Sequence, residues 1–312
     1  MTMEHIYDMV IIGGGPGGYT AALYAARAGL DVLVLEKGFP GGQMALTLHV
    51  ENYPGFGEGV DGFSLGDRMR RDAERFGAKT ELGEVISLDL RADPKKIVTG
   101  SGMIYGRTVV YAAGAGPRKL GLPGEEVWTG RGISYCAACD GMLYKGKHVV
   151  VVGGGNSAVG DAIQLSRIAE RVTVIHRRDS FRGERKNHDQ LLAAGNVQVL
   201  WNTVVTRIQG DQTLKGVSVR NVRTGEEMVL PCDGVFISIG RKPETELVNN
   251  QLQLDSSGYI LADESTRASI PGVYAVGDVR TKPLRQIVTA AADGAVAAHF
   301  AQEYLGEIQG NH

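Results

Sequence analysis

Two glycine-rich turns, at residues 13–18 and 153–158, constrain the fold of this chain more than any other feature. Each turn follows an apolar strand and precedes a helix and a second strand, so each belongs to a βαβ unit. Such a unit places its two strands in parallel and packs the helix across them. At 312 residues the chain also exceeds the usual size of one hydrophobic core. We therefore predict an α/β fold with two Rossmann-like dinucleotide-binding domains.

The first turn fits the pattern G-x-G-x-x-G through Gly13, Gly15 and Gly18. The first glycine permits the tight turn, the second lets the backbone approach a pyrophosphate, and the third allows the helix to pack on the strand. Glu36 ends the next strand, where an acidic residue accepts hydrogen bonds from ribose hydroxyls. We predict a dinucleotide site rather than a purely structural turn, with strand, helix and second strand at 7–12, 19–28 and 31–35.

The second turn repeats the pattern through Gly153 and Gly155, with Ala158 in the third position. Its strand, helix and second strand are predicted at 148–152, 159–169 and 171–175. A basic cluster replaces the ribose-binding acid at the end of the second strand: His176, Arg177, Arg178 and Arg182. Because cations suit a 2′-phosphate, we predict NADPH rather than NADH. The alternative is a solvated, basic start of a helix.

Composition and charge exclude several classes of function. The formal net charge of −2 provides no basic surface for nucleic acid or anionic lipid. No segment approaches the roughly 20 apolar residues that span a bilayer, and the first residues lack the basic region of a signal peptide. We therefore predict a cytoplasmic protein without nucleic-acid or membrane partners. Three cysteines cannot form a fully paired disulfide framework, so we expect redox use of the two that are close together.

Those two cysteines, Cys136 and Cys139, lie just before the second nucleotide unit. A disulfide across so short a loop restrains the unfolded chain little, which argues against a purely structural bond. A structural zinc site needs four ligands, and Cys232 lies far away in an apolar segment, so we predict no metal and a buried Cys232. Asp140 allows two interpretations: a proton donor with a raised pKa, or an ordinary carboxylate at a helix terminus.

Hydrophobic periodicity predicts the remaining elements. We expect a helix at 65–76 and a long Ala-rich helix at 285–304. Strands are predicted within 84–98, 108–113, 204–222, 234–239 and 272–276, the last followed by a turn at Gly277 and Asp278.

With these residues in place, the chain resembles the low-molecular-weight, bacterial-type thioredoxin reductases over essentially its whole length. The markers are both glycine-rich turns and the segments 41–43, 51–55, 136–141, 176–182 and 277–279, with Arg285 and Gln286. The larger glutathione-reductase-like enzymes place their redox cysteines soon after the first glycine-rich turn instead. The resemblance implies a homodimer of three-layer ββα domains, in which an NADPH domain at 117–246 interrupts a discontinuous FAD domain at 1–116 and 247–312.

The resemblance also implies two sets of cofactor contacts. The residues expected at FAD are Gly13, Gly15, Pro16, Gly18, Glu36, Gly42, Gln43, Asn52, Ala113, Gly277, Asp278, Arg285, Gln286 and Ile287. Those expected at NADPH are Gly153, Gly155, Asn156, Ser157, Ala158, His176, Arg177, Arg178 and Arg182. Asp278 would lie near the ribitol and Gln286 near the isoalloxazine. Cys139 would be the thiol nearer the flavin, Cys136 the one that attacks the partner disulfide, and Asp140 the acid.

The function implied is reduction of thioredoxin or a thioredoxin-like protein by NADPH, through FAD and the dithiol, with rotation of the domains during turnover. The alternatives are a relative with another electron donor, a small-molecule dithiol oxidase, or a flavin redox sensor that does not turn over. Relatives of the first two kinds usually lack Arg177 and Arg178. The chain departs from the family at Gly160-Asp161, where a pair of glutamates is frequent, and at 241–245, where His-x-Pro-Asn-Thr is frequent.

Overall fold

A computed structural model describes residues 5–47, 50–182 and 185–310. The chain divides into two compact units, Met1–Gly116 with Lys242–His312, and Pro117–Arg241. The second unit is thus inserted into the first. The return to the first unit comes at Lys242 rather than at the predicted residue 247, because the strand that begins at Arg241 pairs with the strand at Ala115–Pro117.

Over residues 5–47 and 50–116, together with Pro117, the first segment of the chain contributes seven strands and two helices. The strands are β1 (Ile6–Ile12), β2 (Val32–Glu36), β3 (Lys79–Leu82), β4 (Val85–Asp89), β5 (Lys95–Thr99), β6 (Gly102–Tyr111) and β7 (Ala115–Pro117). The helices are α1 (Pro16–Arg27) and α2 (Gly62–Arg75), with a 3-10 turn at Gly42–Leu46. Helix α1 begins three residues before the predicted position 19, because proline is well suited to the first turn of a helix. Helix α2 also begins early, because the Asp61 carboxylate accepts the Ser64 N–H at 2.7 Å.

In the described part of the inserted unit, residues 117–182 and 185–241, the chain forms eight strands and four helices, with a 3-10 turn at Gly141–Tyr144. The strands are β8 (Ile133–Ser134), β9 (His148–Val152), β10 (Arg171–Ile175), β11 (Val197–Leu200), β12 (Thr203–Gly210), β13 (Leu214–Asn221), β14 (Glu227–Pro231) and β15 (Gly234–Ile237). The helices are α3 (Glu125–Trp128), α4 (Ala137–Asp140), α5 (Asn156–Ser166) and α6 (Arg185–Leu192). The chain then adds β16 (Arg241–Pro243), β17 (Val273–Ala275), a 3-10 turn at Gly277–Val279 and α7 (Ile287–Gly310).

The sheet of the first unit has the order β3-β2-β1-β6-β5-β4, with β17 paired to β6. Strands β3, β2, β1, β6 and β17 run parallel, whereas β5 and β4 are antiparallel. Alternate residues of β1 face opposite sides: Met9 and Ile11 pack with α1 and α7, and Val10 packs into a second core on the other face. Helices α1 and α7 can approach closely because Gly294 has no side chain. A Cβ at this position would collide with the Gly17 carbonyl.

The inserted unit has three layers. Its parallel sheet has the order β11-β10-β9-β15-β8, and the antiparallel sheet β12-β13-β14 covers one face. Val149 and Val151 of β9 pack toward α5, whereas Val150 packs toward Val217 and Val219 of β13. The predicted α/β fold class with two Rossmann-like units is therefore confirmed. Within the described ranges, no helix is long and apolar enough to cross a membrane.

In both units the parallel strands end at one edge of the sheet. In the first unit these ends are at Ile12, Glu36, Tyr111 and Ala275. In the inserted unit they are at Ser134, Val152, Ile175 and Ile237. Ligands of open α/β sheets bind at this carboxyl edge, and both glycine-rich turns lie there.

Candidate functional site

The first glycine-rich turn has the backbone geometry that its pattern predicts. Gly13 has a φ of +105°, and a Cβ on it would lie 2.5 Å from the Ala112 carbonyl oxygen. A Cβ on Gly18 would collide with the carbonyl of Gly13. At Gly15, by contrast, no heavy atom of the described chain would lie within 4 Å of a Cβ. Two glycines are thus required by close backbone contacts, and the third leaves an open side toward which a ligand can approach.

Glu36 forms a hydrogen bond with the backbone of the first turn. Its carboxylate is buried and accepts the N–H of Gly14 at 2.7 Å and the N–H of Gly38 at 2.8 Å. The Gly14 carbonyl accepts the N–H of Gly41 at 2.8 Å, and Gly42 packs against the backbone of Gly15. The acid expected at the ribose therefore also binds the glycine-rich turn itself.

The second turn achieves a similar shape with different contacts. Gly153 has a φ of +149°, and a Cβ on it would collide with the Ser238 carbonyl. At Gly155, as at Gly15, no heavy atom of the described chain would lie within 4 Å of a Cβ. The buried side chain of Ala158 occupies the place where the first turn requires a glycine. The first bonds within α1 and α5 are Tyr19 to Gly15, at 3.0 Å, and Val159 to Gly155, at 3.1 Å.

Those first bonds leave the preceding N–H groups of each helix outside the helical ladder. They project from the positive end of the helix dipole, which is a binding geometry for phosphate. In α1 the groups belong to Gly17 and Gly18, because Pro16 has no N–H. In α5 they belong to the predicted residues Asn156, Ser157 and Ala158.

The basic cluster follows β10 at the carboxyl edge of the inserted unit. The side chains of Arg177, Arg178 and Arg182 are exposed. Over residues 5–47, 50–182 and 185–310, none of their guanidinium groups makes a hydrogen bond or ion pair. The backbone N–H of Arg182 donates to the Gly154 carbonyl at 2.7 Å, which ties the segment to the second turn. The three arginines thus present unpaired positive charge beside this turn.

His176 has a different environment from the three arginines. It is 7% exposed, its ring stacks with Phe181, and a Cβ on Gly154 would collide with that ring. Its Nε2 lies 3.0 Å from the Ser180 carbonyl. Burial lowers the pKa of His176, and the positive charges of Arg178, Arg177 and Arg182 add to this effect. The ring is therefore neutral at pH 7, and its geometry is that of a packing residue beneath the turn.

The other residues expected at the flavin lie on one edge of the first unit. Ala113 borders Gly13, and the Gln43 amide donates to the Ala115 carbonyl. Asn52 Nδ2 donates to Gln286 Oε1 at 3.0 Å, directly before Ile287 begins α7. Arg285 binds the carbonyl of Asp278 at 3.4 Å, and Gly277 has a φ of +74°. The structure therefore brings segments from five places in the sequence to one edge.

A buried ion cluster stabilises the Gly277 turn, and the sequence analysis missed it. The Asp293 carboxylate accepts the Gly277 N–H at 2.8 Å, Arg280 Nη2 at 2.8 Å and Lys282 Nζ at 2.7 Å. All three side chains are at most 8% exposed. The sequence shows two basic residues before an Ala-rich helix and one acidic residue within it. This pattern does not indicate that the three side chains meet.

Cys136 and Cys139 form a disulfide, with their Cα atoms 5.3 Å apart. Cys136 follows the end of β8 and precedes α4. Since β8 runs parallel to β15, and β15 to β9, the disulfide lies at the same carboxyl edge as the second glycine-rich turn. Both cysteines are partly exposed.

Asp140 is the fourth and last residue of α4, so it lies within the first turn of that helix, and it directly precedes a 3-10 turn at Gly141–Tyr144 without capping it through its side chain. Burial raises the pKa of its carboxyl group, an effect only partly offset by the Ser134 hydroxyl, which donates to Asp140 Oδ2 at 2.7 Å. The same hydroxyl accepts the Cys136 N–H at 3.1 Å. The environment favours a carboxyl group that retains a proton.

Cys232 is buried and unpaired, and burial raises the pKa of its thiol to about 12. The predicted burial of Cys232 is therefore confirmed. Among the described residues, no group of three or more His, Cys, Asp or Glu side chains could hold a metal ion.

Asp161 is one of the two positions at which the chain departs from the pair of glutamates. It lies on α5, and its carboxylate accepts a hydrogen bond from the Ser238 hydroxyl after β15. Burial raises its pKa. At the other departure, β16 pairs with β7 where the chain passes between the units.

Comparison with known proteins matches residues 7–294 to the family described as pyridine nucleotide-disulphide oxidoreductase. Thioredoxin reductase from Listeria monocytogenes is 45% identical over 98% of this chain and 96% of its own length. The one from Treponema pallidum is 43% identical over 98% of this chain and 100% of its own length. A solved thioredoxin reductase from Streptococcus pyogenes superposes with a TM-score of 0.88 at 44% identity, covering 97% of this chain and 99% of that one.

Proposed function

Because the chain belongs to the pyridine nucleotide-disulphide oxidoreductases and, among them, to the bacterial-type thioredoxin reductases, we propose that it reduces a thioredoxin-like protein with electrons from NADPH. The predicted resemblance is confirmed, and the enzyme is an oxidoreductase that uses a flavin and a nicotinamide nucleotide. The observation that carries the proposal is the disulfide of Cys136 and Cys139 at the edge where a nucleotide turn and a basic cluster also lie.

FAD is the flavin that suits the first unit. The open side at Gly15, the first-turn N–H groups of α1 and the buried Glu36 match a dinucleotide rather than a mononucleotide. The contacts proposed from the sequence lie around this turn: Gly13, Pro16, Gly18, Gly42, Gln43, Asn52, Ala113, Gly277, Asp278, Arg285, Gln286 and Ile287. The Asp293 cluster stabilises the turn that carries Asp278.

NADPH is the donor that suits the inserted unit. Its pyrophosphate would lie at Gly153, Gly155 and the start of α5, and its 2′-phosphate at Arg177, Arg178 and Arg182. Three unpaired guanidinium groups provide charge-assisted hydrogen bonds for a phosphate that NADH lacks. His176 would support this site through packing rather than through charge.

Bound flavin and nicotinamide together supply two-electron transfer from NADPH to the disulfide of Cys136 and Cys139. The reduced pair then acts by thiol-disulfide exchange. The Cys136 thiolate attacks one sulfur of the partner disulfide and displaces the other as a thiolate. Cys139 attacks the resulting mixed disulfide, releases the partner as a dithiol, and restores the bond between Cys136 and Cys139. The partner gains two electrons and two protons.

Asp140 would supply a proton to this exchange. Reduction of the disulfide requires a proton for each sulfur that leaves as a thiol, and burial raises the pKa of the Asp140 carboxyl group, which favours its protonated form. Ser134 bonds both to the Asp140 carboxylate and to the Cys136 backbone, so it would hold donor and nucleophile together.

A homodimer and a cytoplasmic location are further expectations from the family resemblance and the cysteine content. We include both in the proposal. Gel filtration with light scattering measures the first, and fractionation of cells that express the protein measures the second.

The test is an anaerobic titration of the flavin-loaded enzyme with NADPH, with and without a thioredoxin, followed by flavin absorbance. NADPH should bleach the flavin, and oxidised thioredoxin should restore the colour. In the Cys139→Ser variant the bleaching should persist while thioredoxin reduction is lost, because the dithiol follows the hydride step. Bleaching without recovery in the wild type would favour a sensor or another acceptor. Failure of NADPH to bleach the flavin, with success of another donor, would overturn the choice of donor.

A further inference from the structure

The basic cluster contains one negatively charged residue, Asp179. Asp179 lies between Arg178 and Arg182, in the segment proposed to bind the 2′-phosphate. Its carboxylate is exposed, so it retains its charge at pH 7 and would repel a phosphate dianion. A site that favours NADPH must therefore offset this charge.

Arg223 provides the offset. Its Nη2 lies 2.5 Å from Asp179 Oδ2 and donates a hydrogen bond to it. The two residues come from different parts of the inserted unit, because Arg223 belongs to the turn between β13 and β14. The hydrogen bond and positive charge of Arg223 hold the pKa of Asp179 below its usual range. No motif in the sequence connects these two residues.

Backbone hydrogen bonds hold the two segments together. The Asn202 N–H donates to the Arg178 carbonyl at 2.9 Å, and the Val222 N–H donates to the Asn202 carbonyl at 2.6 Å. Asn202 thus links the basic segment to the residue before Arg223. Asn221 Oδ1 accepts the Arg223 N–H at 2.9 Å, which orders the turn. An exposed ion pair contributes little stability by itself, so these backbone bonds are what keep Arg223 near Asp179.

We propose that Arg223 is a positioning residue for NADPH, which neutralises Asp179 and leaves Arg177, Arg178 and Arg182 uncompensated beside the 2′-phosphate. The role differs from that of a phosphate ligand, because Arg223 acts through Asp179. This inference rests on the proposed use of the arginine cluster for NADPH. NADH lacks the 2′-phosphate, so Arg223 should not affect its binding.

The test is a double-mutant cycle of Arg223→Ala and Asp179→Asn, with KM and kcat measured for NADPH and NADH at low and high salt. Arg223→Ala should raise KM for NADPH roughly three- to tenfold, leave KM for NADH and kcat unchanged, and lose part of its effect at high salt. Asp179→Asn in the same chain should restore KM for NADPH, because the repelling charge is gone. The matched control is Arg220→Ala, an exposed arginine on β13.

The outcomes separate the possible failures. An equal rise for NADPH and NADH would make Arg223 a structural residue, and an unrestored KM in the double variant would make it a direct phosphate ligand; either result overturns the inference. The Arg177→Ala/Arg178→Ala variant is measured in parallel. If that variant does not discriminate the two nucleotides, the proposed NADPH site fails. If the Arg177→Ala/Arg178→Ala variant discriminates NADPH from NADH and Arg223→Ala does not, only the role proposed for Arg223 is wrong.

Discussion

The two glycine-rich turns share one backbone shape and differ in almost every side chain that stabilises it. In the first, a buried carboxylate, Glu36, accepts one N–H group from the turn, that of Gly14, and one from its own segment, that of Gly38. In the second, the neutral ring of His176 packs beneath Gly154, and charge appears only outside, on three arginines. In both turns the carbonyl of the second glycine accepts the N–H of a residue later in the chain. Gly14 accepts from Gly41, and Gly154 accepts from Arg182.

This comparison teaches that the pattern G-x-G-x-x-G/A encodes the path of the backbone and little else. The path depends on glycines at a positive φ and on close contacts between backbone atoms, which both turns have. Which nucleotide binds depends on the residues after the second strand, where the turns diverge. Four experiments test the differences between the two turns.

The largest effect is expected from Arg177→Ala/Arg178→Ala, which removes the charge outside the second turn. Each charge-assisted hydrogen bond contributes about 1.5–3 kcal/mol, so the KM ratio of NADPH to NADH should rise roughly 100-fold or more. Steady-state kinetics with both nucleotides measures it. Arg167→Ala/Arg171→Ala is the matched control, since these exposed arginines lie near the opposite end of β10. Equal losses for the two nucleotides would sink the assignment.

The second effect concerns the third position of the pattern. Gly18→Ala should lower flavin content and cost about 3 kcal/mol of unfolding free energy, because its Cβ would collide with the Gly13 carbonyl, which cannot move freely. The reciprocal Ala158→Gly should cost less, about 2 kcal/mol, from the difference in helix propensity and the loss of one buried methyl group. Denaturant unfolding and the ratio of flavin to protein absorbance measure both. Similar costs in the two turns would contradict the close contact between Gly18 and the Gly13 carbonyl.

The third effect concerns the buried carboxylate of the first turn. Glu36→Gln can accept only one of the two N–H groups, so one buried donor is left unpaired at a cost of about 1–3 kcal/mol. The dissociation constant of the flavin should rise roughly tenfold, as measured by titration of the apoprotein. Glu81→Gln, at an exposed position on β3, controls for the loss of charge. An unchanged dissociation constant would contradict the role of Glu36 in supporting the turn.

The smallest effect is a pH dependence of stability in the second turn. Burial lowers the pKa of His176 from the value of 6.5 that it has in the unfolded chain. The folded state therefore favours the neutral ring, and the stability from this group is complete above pH 6.5 and lost as the pH falls through the folded pKa. His176→Gln should flatten the fall of Tm below pH 6.5. His299→Gln, at an exposed position on α7, should not; if both variants follow the wild-type slope, His176 is not the titrating group.

Much of the fold could be predicted because periodicity is local. The strands β1, β9 and β10 match the predicted segments to within one residue, whereas helices α1 and α5 of the two βαβ units both begin three residues before the predicted positions. Short elements were missed, among them β8, with two buried residues, and β14, with five mostly exposed residues, because such short segments have no clear period. For Asp140 the residues left two interpretations open, since burial depends on neighbours distant in sequence, and the raised pKa now favours a proton donor.

Local sequence patterns predicted the two turns, the redox spacing of Cys136 and Cys139, and the replacement of an acid by arginines, because each of these depends on residues close together in the chain. Which distant charges meet is visible only in the folded protein. Asp293 with Arg280 and Lys282, and Asp179 with Arg223, are pairs that no local pattern predicts. Hydrogen bonds and ion pairs act over a few ångströms, whereas the partners become neighbours only after the sheets have formed.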